Sequence, residues 1–186
     1  MTSKGSVGEP LTWTVAGLLG DEAGATRDYQ VAGVTIDLGD DLRLADPIEG
    51  HVRLARTNRG LLVIADLTTS LQAECSRCVR DIEVPIEIFI EEEALPSLDP
   101  HTGRPIEPEA GEDDVPRLTD HHELDLEAPV REAILLAEPI APLCRPDCRG
   151  LCLVCGERLD EGAHDHPTDD IDPRLEALKA FRADEG

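Results

Sequence analysis

Four cysteines, Cys144, Cys148, Cys152 and Cys155, fall within twelve residues of the stretch Leu143–Leu159. Thiols packed this closely restrict a chain to a disulfide framework, a redox pair or a turn held by a metal. Within the stretch, Cys152-Leu-Val-Cys155-Gly156 can form a tight turn that aims two sulfurs and several backbone N–H groups at one point. Gly156 stands just after the second sulfur, where a positive φ costs least. A soft divalent cation such as zinc is the natural occupant of such a turn.

A second pair, Cys75-Ser-Arg-Cys78, lies far upstream. A thioredoxin-type pair opens a helix whose dipole lowers the thiol pKa, but this one is followed by a period-two strand, which favours a metal knuckle at a hairpin tip. His164-Asp-His166 follows Cys155 and offers two imidazoles. Six cysteines and two histidines allow three partitions. Cys144, Cys148, Cys152 and Cys155 can share one zinc. Alternatively, Cys75 and Cys78 join Cys144 and Cys148 while Cys152 and Cys155 join His164 and His166, or Cys75 and Cys78 join Cys152 and Cys155. Arg77, Arg80, Arg145 and Arg149 flank the cysteines and would offset the net charge of a four-thiolate zinc centre.

The chain between the two cysteine groups reads as α+β, an antiparallel meander packed by a helix. Val31, Val34 and Ile36 open the strand region after a loop at Asp21–Asp28, and Ile48–Thr57 turns through Asn58-Arg59-Gly60 into Leu61–Ala73. Ile82 to Glu91 alternates apolar with mostly acidic residues, the pattern of a strand with one buried face and one wet face. Pro85 makes it an edge strand or marks a bulge. A helix from about Glu127 to Glu138 presents Val130, Ala133, Ile134 and Ala137 on one face, broadened by Leu136 and Ile140, and should lie on the meander. Two short helices complete the reading: one through Val15, Leu18 and Leu19 capped by Thr14, and one opened by Asp172 and Pro173 with a stripe of Leu175, Leu178 and Phe181. The expected organisation is a tail and short helix at 1–30, an α+β domain at 31–142 with a mobile acidic loop near 96–118, and a cysteine-rich zinc-binding segment with a terminal helix at 143–186.

Charge limits the functions open to such a chain. Forty acidic residues oppose 17 basic ones, a formal net charge of −23, and residues 91–128 hold thirteen of the acids against Arg104 and Arg117. Carboxylates such as Glu112, Asp113 and Asp114 should be solvated there, with nothing to perturb them. A surface of this sign repels phosphate backbones and favours basic protein partners, although host-wide solubility accounts for the charge equally well. The rival is direct RNA binding through a small patch of Arg53, Arg56, Arg59, Arg77 and Arg80. The N-terminus lacks a signal peptide's apolar run and no window approaches a membrane span, so a cytoplasmic protein is expected. In that reducing compartment clustered cysteines argue for metal before disulfide. No phosphate-binding glycine loop, nucleophile elbow or open-sited metal motif is present, so catalytic residues are not expected. A metalloenzyme or thiol oxidoreductase is the least favoured class.

Several segments together carry a family resemblance. They are Thr57-Asn-Arg-Gly-Leu-Leu-Val63, Cys75-Ser-Arg-Cys78 ahead of the acidic-apolar strand, the run from Leu126 to Leu143, and Cys144-Arg-Pro-Asp-Cys148-Arg-Gly-Leu-Cys152-Leu-Val-Cys155-Gly156 with Asp172-Pro-Arg174 beyond. The chain resembles the cysteine-rich branch of the YceD-like family over about Gly33 to Arg182. It departs in having His164-x-His166 where related sequences can carry Cys-x-Cys, and Leu153 where a proline is common. The resemblance implies a non-enzymatic bacterial ribosome-biogenesis factor supporting accumulation of large-subunit (23S) rRNA. A basic ribosomal protein or assembly factor is the expected partner, with contact to the rRNA itself expected to be indirect.

Overall fold

The computed structural model describes residues 11–39, 42–99, 102–108, 112, 115–162, 165–166 and 174. Its centre is a four-stranded antiparallel sheet of β2 (Thr26–Val34), β3 (Arg43–Arg56), β4 (Leu61–Glu74) and β5 (Asp81–Ala94), ordered β2-β3-β4-β5. The expected α+β meander is therefore present, with strands longer than the periodicity alone marked. Strand β2 starts at Thr26, before the boundary at 30/31 and inside the expected loop, because its partner β3 extends the ladder to Thr26–Ala55. Thr57 closes the β3–β4 turn, its N–H donating to the Gly60 carbonyl at 3.0 Å.

Period two divides the sheet cleanly. On β4, Leu61, Val63, Ala65, Leu67 and Leu71 are buried, and on β5 so are Ile86, Ile88 and Ile90. The intervening side chains face outward. Pro85 is tolerated because β5 is an edge strand. Gly50 marks the tightest approach between strands: its φ is +148°, and a Cβ there would lie 2.2 Å from the Asp66 carbonyl oxygen. Only glycine fits against that backbone.

Helix α2 (Glu127–Ala137) covers the apolar side of the sheet, burying Val130 and Ile134 in the common core. Each such burial is worth about 1.5–3 kcal/mol. The expected stripe was too wide: Leu136 is 81% exposed and Ile140 fully exposed. Leu136 is turned from the Val130–Ile134 face, and Ile140 lies beyond the helix end at Ala137.

The N-terminal segment belongs to the same core. Strand β1 (Thr12–Thr14) pairs with β6 (Glu123–Asp125), and Leu11, Val15, Leu18 and Leu19 join the sheet's apolar cluster. Trp13 meets Tyr29 with ring centroids 5.5 Å apart. Helix α1 (Ala16–Leu19) is capped at Val15 and has no side-chain cap, so Thr14 does not serve that role: it is the last residue of β1. The expected terminal helix of Leu175, Leu178 and Phe181 lies outside the described residues.

Part of the acidic segment is tied to the sheet. Strand β5 runs to Ala94, Leu95 bridges to Arg117, and Leu98 bridges to Pro105. Glu112, expected to be solvated, has a side chain only 13% exposed, and it pairs with both Arg59 and Arg117.

Candidate metal centre

The β4–β5 connection is a knuckle. The Cys75 N–H donates to the Arg80 carbonyl at 2.8 Å, and the Val79 N–H donates back to the Cys75 carbonyl at 2.9 Å. The Cys152–Glu157 turn repeats this arrangement: Cys152 N–H donates to the Glu157 carbonyl at 2.7 Å, and Gly156 N–H to the Cys152 carbonyl at 2.9 Å. Both turns place a left-handed residue directly after the second cysteine, Gly156 at φ +75° and Val79 at φ +51°. Glycine was the legible case. Val79 is a β-branched residue in a conformation that costs about 1–2 kcal/mol, and its hairpin holds it there.

Cys144 and Cys148 reach the first knuckle from the segment after α2. Proline 142 fixes the approach, its carbonyl accepting from the Ser76 N–H at 2.9 Å and from Ser76 Oγ at 3.0 Å. Arg77 Nη1 donates to the Cys148 carbonyl at 2.9 Å. The four sulfurs of Cys75, Cys78, Cys144 and Cys148 lie within 4.8 Å of one another, with Cys75–Cys148 at 3.8 Å and Cys78–Cys144 at 3.7 Å. These separations are far beyond a disulfide bond. A tetrahedron of sulfurs about 2.3 Å from a central zinc has edges of about 3.8 Å, so the donor set, its number and its spacing all suit such an ion.

The electrostatics point the same way. Hydrogen bonding from the backbone of Cys144 lowers the Cys75 thiol to about 5, whereas burial pushes Cys144 up to about 12 and raises Cys78. Side chains of Ile82, Leu143 and Leu151 pack round the cluster. Further thiolates in this apolar nest would need a nearby cation, which a bound metal ion would supply. Of the arginines expected to offset the charge of a four-thiolate centre, Arg80 pairs with Asp160 at 3.2 Å and Glu161 at 3.0 Å while also feeling Cys78, and Arg145 pairs with Asp147 at 3.3 Å. The Arg80 pairs staple the hairpin tip to the C-terminal segment.

A second group comprises Cys152, Cys155 and His166, whose ligand atoms also lie within 4.8 Å of one another. His164 lies outside the described residues. The geometry thus gathers Cys75, Cys78, Cys144 and Cys148 at one place and Cys152, Cys155 and His166 at another. Either group could hold a metal ion.

Sequence reasoning missed Arg158. Its Nε donates to the Cys78 carbonyl at 3.0 Å and its Nη2 to the Val79 carbonyl at 3.2 Å, locking the hairpin tip to the C-terminal segment. Nothing in the local sequence distinguishes it from the arginines beside the cysteines, because the carbonyls it reaches are 79 and 80 positions away.

The model of the family described as large ribosomal RNA subunit accumulation protein YceD matches residues 63–182, a span that includes all eight sequence-predicted ligands. The chain belongs to the YceD family. Uncharacterized proteins of Mycobacterium bovis and Mycobacterium tuberculosis are each 30% identical to it over 182 residues, covering 95% of this chain and 84% of theirs. An uncharacterized protein of Mycobacterium leprae is 32% identical over 129 residues, covering 68% of this chain and 55% of its own. No solved structure matches. The family's name attaches it to accumulation of large-subunit ribosomal RNA, and among the described residues no helix is long and apolar enough to cross a membrane.

Proposed function

We propose that this YceD-family protein supports accumulation of large-subunit rRNA without catalysis, as a zinc-clamped module that binds a basic ribosomal protein or assembly factor. The observation that carries the proposal is the set of four sulfurs within 4.8 Å of one another, contributed by the β4–β5 hairpin and the segment after α2. Zinc held by Cys75, Cys78, Cys144 and Cys148 would have all four positions filled by sulfur, leaving none for a substrate. Such an ion serves to hold a surface in shape. A second zinc at Cys152, Cys155 and His166, with His164 as its expected fourth ligand, would fold the C-terminal turn in the same manner.

A protein partner is favoured over direct RNA contact by what the arginines do. Arg53 bonds Asp28 at 2.7 Å, Arg59 pairs with Glu112, and Arg80 pairs with Asp160 and Glu161. Arg56 donates to the Leu19 and Gly60 carbonyls, and Arg77 to that of Cys148. All five members of the expected RNA patch are engaged within the protein, and phosphate would have to compete with carboxylates for three of them.

The test combines a genetic and a biochemical measurement. Cells lacking the protein should show a lowered ratio of large- to small-subunit rRNA, restored by the wild-type chain. The purified protein at low salt should retain a basic member of the RNA-free protein fraction of large subunits. An unchanged rRNA ratio would refute the function. Failure to retain any basic protein, alongside tight and salt-steep binding to a large-subunit rRNA fragment, would replace the protein partner with RNA.

A further inference from the structure

The outer face of the sheet is divided by charge. On its β2–β3 side a cluster of charges is matched locally: Asp28 accepts from Arg53 at 2.7 Å and from His51 Nε2 at 3.1 Å. On its β4–β5 side they are not. Asp66 and Glu74 of β4, with Asp81, Glu83, Glu87 and Glu91 of β5, alternate outward and are exposed. Among the described residues none of these six carboxylates makes an ion pair. Glu74 stands directly opposite Asp81 in the ladder, and like charges in that position destabilise a sheet.

The same face carries an apolar break in the row of acids. Phe89 lies between Glu87 and Glu91, opposite Asp66, and is 62% exposed. Ile64, opposite Glu91, and Leu62, opposite Glu93, are half-buried beside it. A large aromatic left in water among unpaired carboxylates is a poor surface for a solitary protein, and aromatic anchors with a charged surround mark protein interfaces. From Asp81 to Glu91 the row is about 34 Å long at ~3.4 Å per residue. It begins at the knuckle that carries Cys75 and Cys78.

We infer that this β4–β5 face is the docking surface for the basic partner, which lays an Arg- or Lys-rich segment along the carboxylates and an apolar side chain against Phe89. The inference rests on the proposed protein partnership and gives it a location: the partner is recognised on the rigid sheet, and the acidic 96–118 segment is not required. The cysteine clasp fixes the end of the hairpin from which the row starts, so the metal centre and the docking surface form one rigid unit.

The experiment uses the full, metal-loaded chain and, as probe, the RNA-free protein fraction of large ribosomal subunits, with each retained protein identified by mass. Three variants are compared with wild type. They are Glu83→Gln/Glu87→Gln/Glu91→Gln on the face, Phe89→Ser, and Glu107→Gln/Glu109→Gln/Asp113→Asn in the acidic segment, which removes the same charge. The face variant should bind the retained protein at least tenfold more weakly with a shallower salt dependence. Phe89→Ser should weaken it with the salt dependence kept, and the segment variant should bind as wild type. Carbodiimide should join partner lysines to Glu83, Glu87 or Glu91. Equal losses in the face and segment variants would reduce the effect to net charge and overturn the assignment, and face variants that bind as wild type would overturn it while leaving the proposed partnership intact. A wild-type chain that retains no basic protein overturns both.

Discussion

Removing the sheet's half of the four-sulfur cluster gives the most direct test of the clasp. In Cys75→Ser/Cys78→Ser the thiols of Cys144 and Cys148 lose their partners, while the Cys152–Cys155–His166 group is untouched. A metal bridging Cys75 and Cys148 closes a loop of 73 residues, and the chain-entropy relation for a cross-link of that span gives about 4 kcal/mol at 25 °C. With a urea slope of about 2 kcal/mol per molar, expected for a domain of this size, the midpoint should fall by about 2 M. Trp13, the chain's one tryptophan, packs on Tyr29 at the opposite end of the sequence from the cysteines and reports unfolding of the sheet by fluorescence. Elemental analysis should show the zinc content falling from two per chain to one. A chelator should lower the wild-type midpoint towards that of the variant and leave the variant almost unmoved. The companion variant Cys152→Ser/Cys155→Ser should also lose one zinc, but its loop is local to the C-terminal segment and the Trp13 transition should stay near wild type. Loss of metal from the first variant without a shift in midpoint would refute the idea that the cluster clamps the sheet. An equal shift in the companion would refute the division of labour between the two groups.

Two further outcomes follow from the core and the outer face. Ile134→Ala, at a fully buried position on the inner face of α2, should cost about 2–5 kcal/mol in urea unfolding, whereas Leu136→Ala, two residues on and mostly in water, should cost no more than about 0.5 kcal/mol. The Arg53 hydrogen bond, helped by His51, holds the Asp28 carboxyl below its usual range. A carboxyl lowered in the folded state adds stability above its unfolded pKa and loses it as pH falls through the folded value. Carbon-detected NMR should therefore find Asp28 titrating below the ordinary aspartate range, and Arg53→Met should return it there.

The sheet was legible because its periodicity is local. Alternation from Ile82 to Ile90 announces a strand with one wet face whatever the rest of the chain does, and of the two readings of Pro85, an edge or a bulge, the sheet order selects the edge. The ends of strands were less legible, since β2 begins at Thr26 only because β3 supplies hydrogen-bond partners that far. Leu136 and Ile140 misled for a related reason: apolar character suggests burial, but burial depends on what lies opposite. Glu112 misled in the other direction, because its carboxylate found Arg59 from 53 positions away.

The sequence by itself determined the chemistry of the protein: six thiols and a His-x-His that follows them, an apolar-acidic strand, and a net charge of −23. It left three ways of dividing the ligands, because spacing along the chain limits only which sulfurs can meet locally. Tertiary structure brought Cys144 and Cys148 to Cys75 and Cys78, through α2 docking on the sheet and the Pro142 carbonyl binding Ser76. It also put the exposed acids of β4 and β5 and the ring of Phe89 on one surface. Both outcomes depend on the pairing register of strands and on packing between distant segments, and those are properties of the folded chain as a whole.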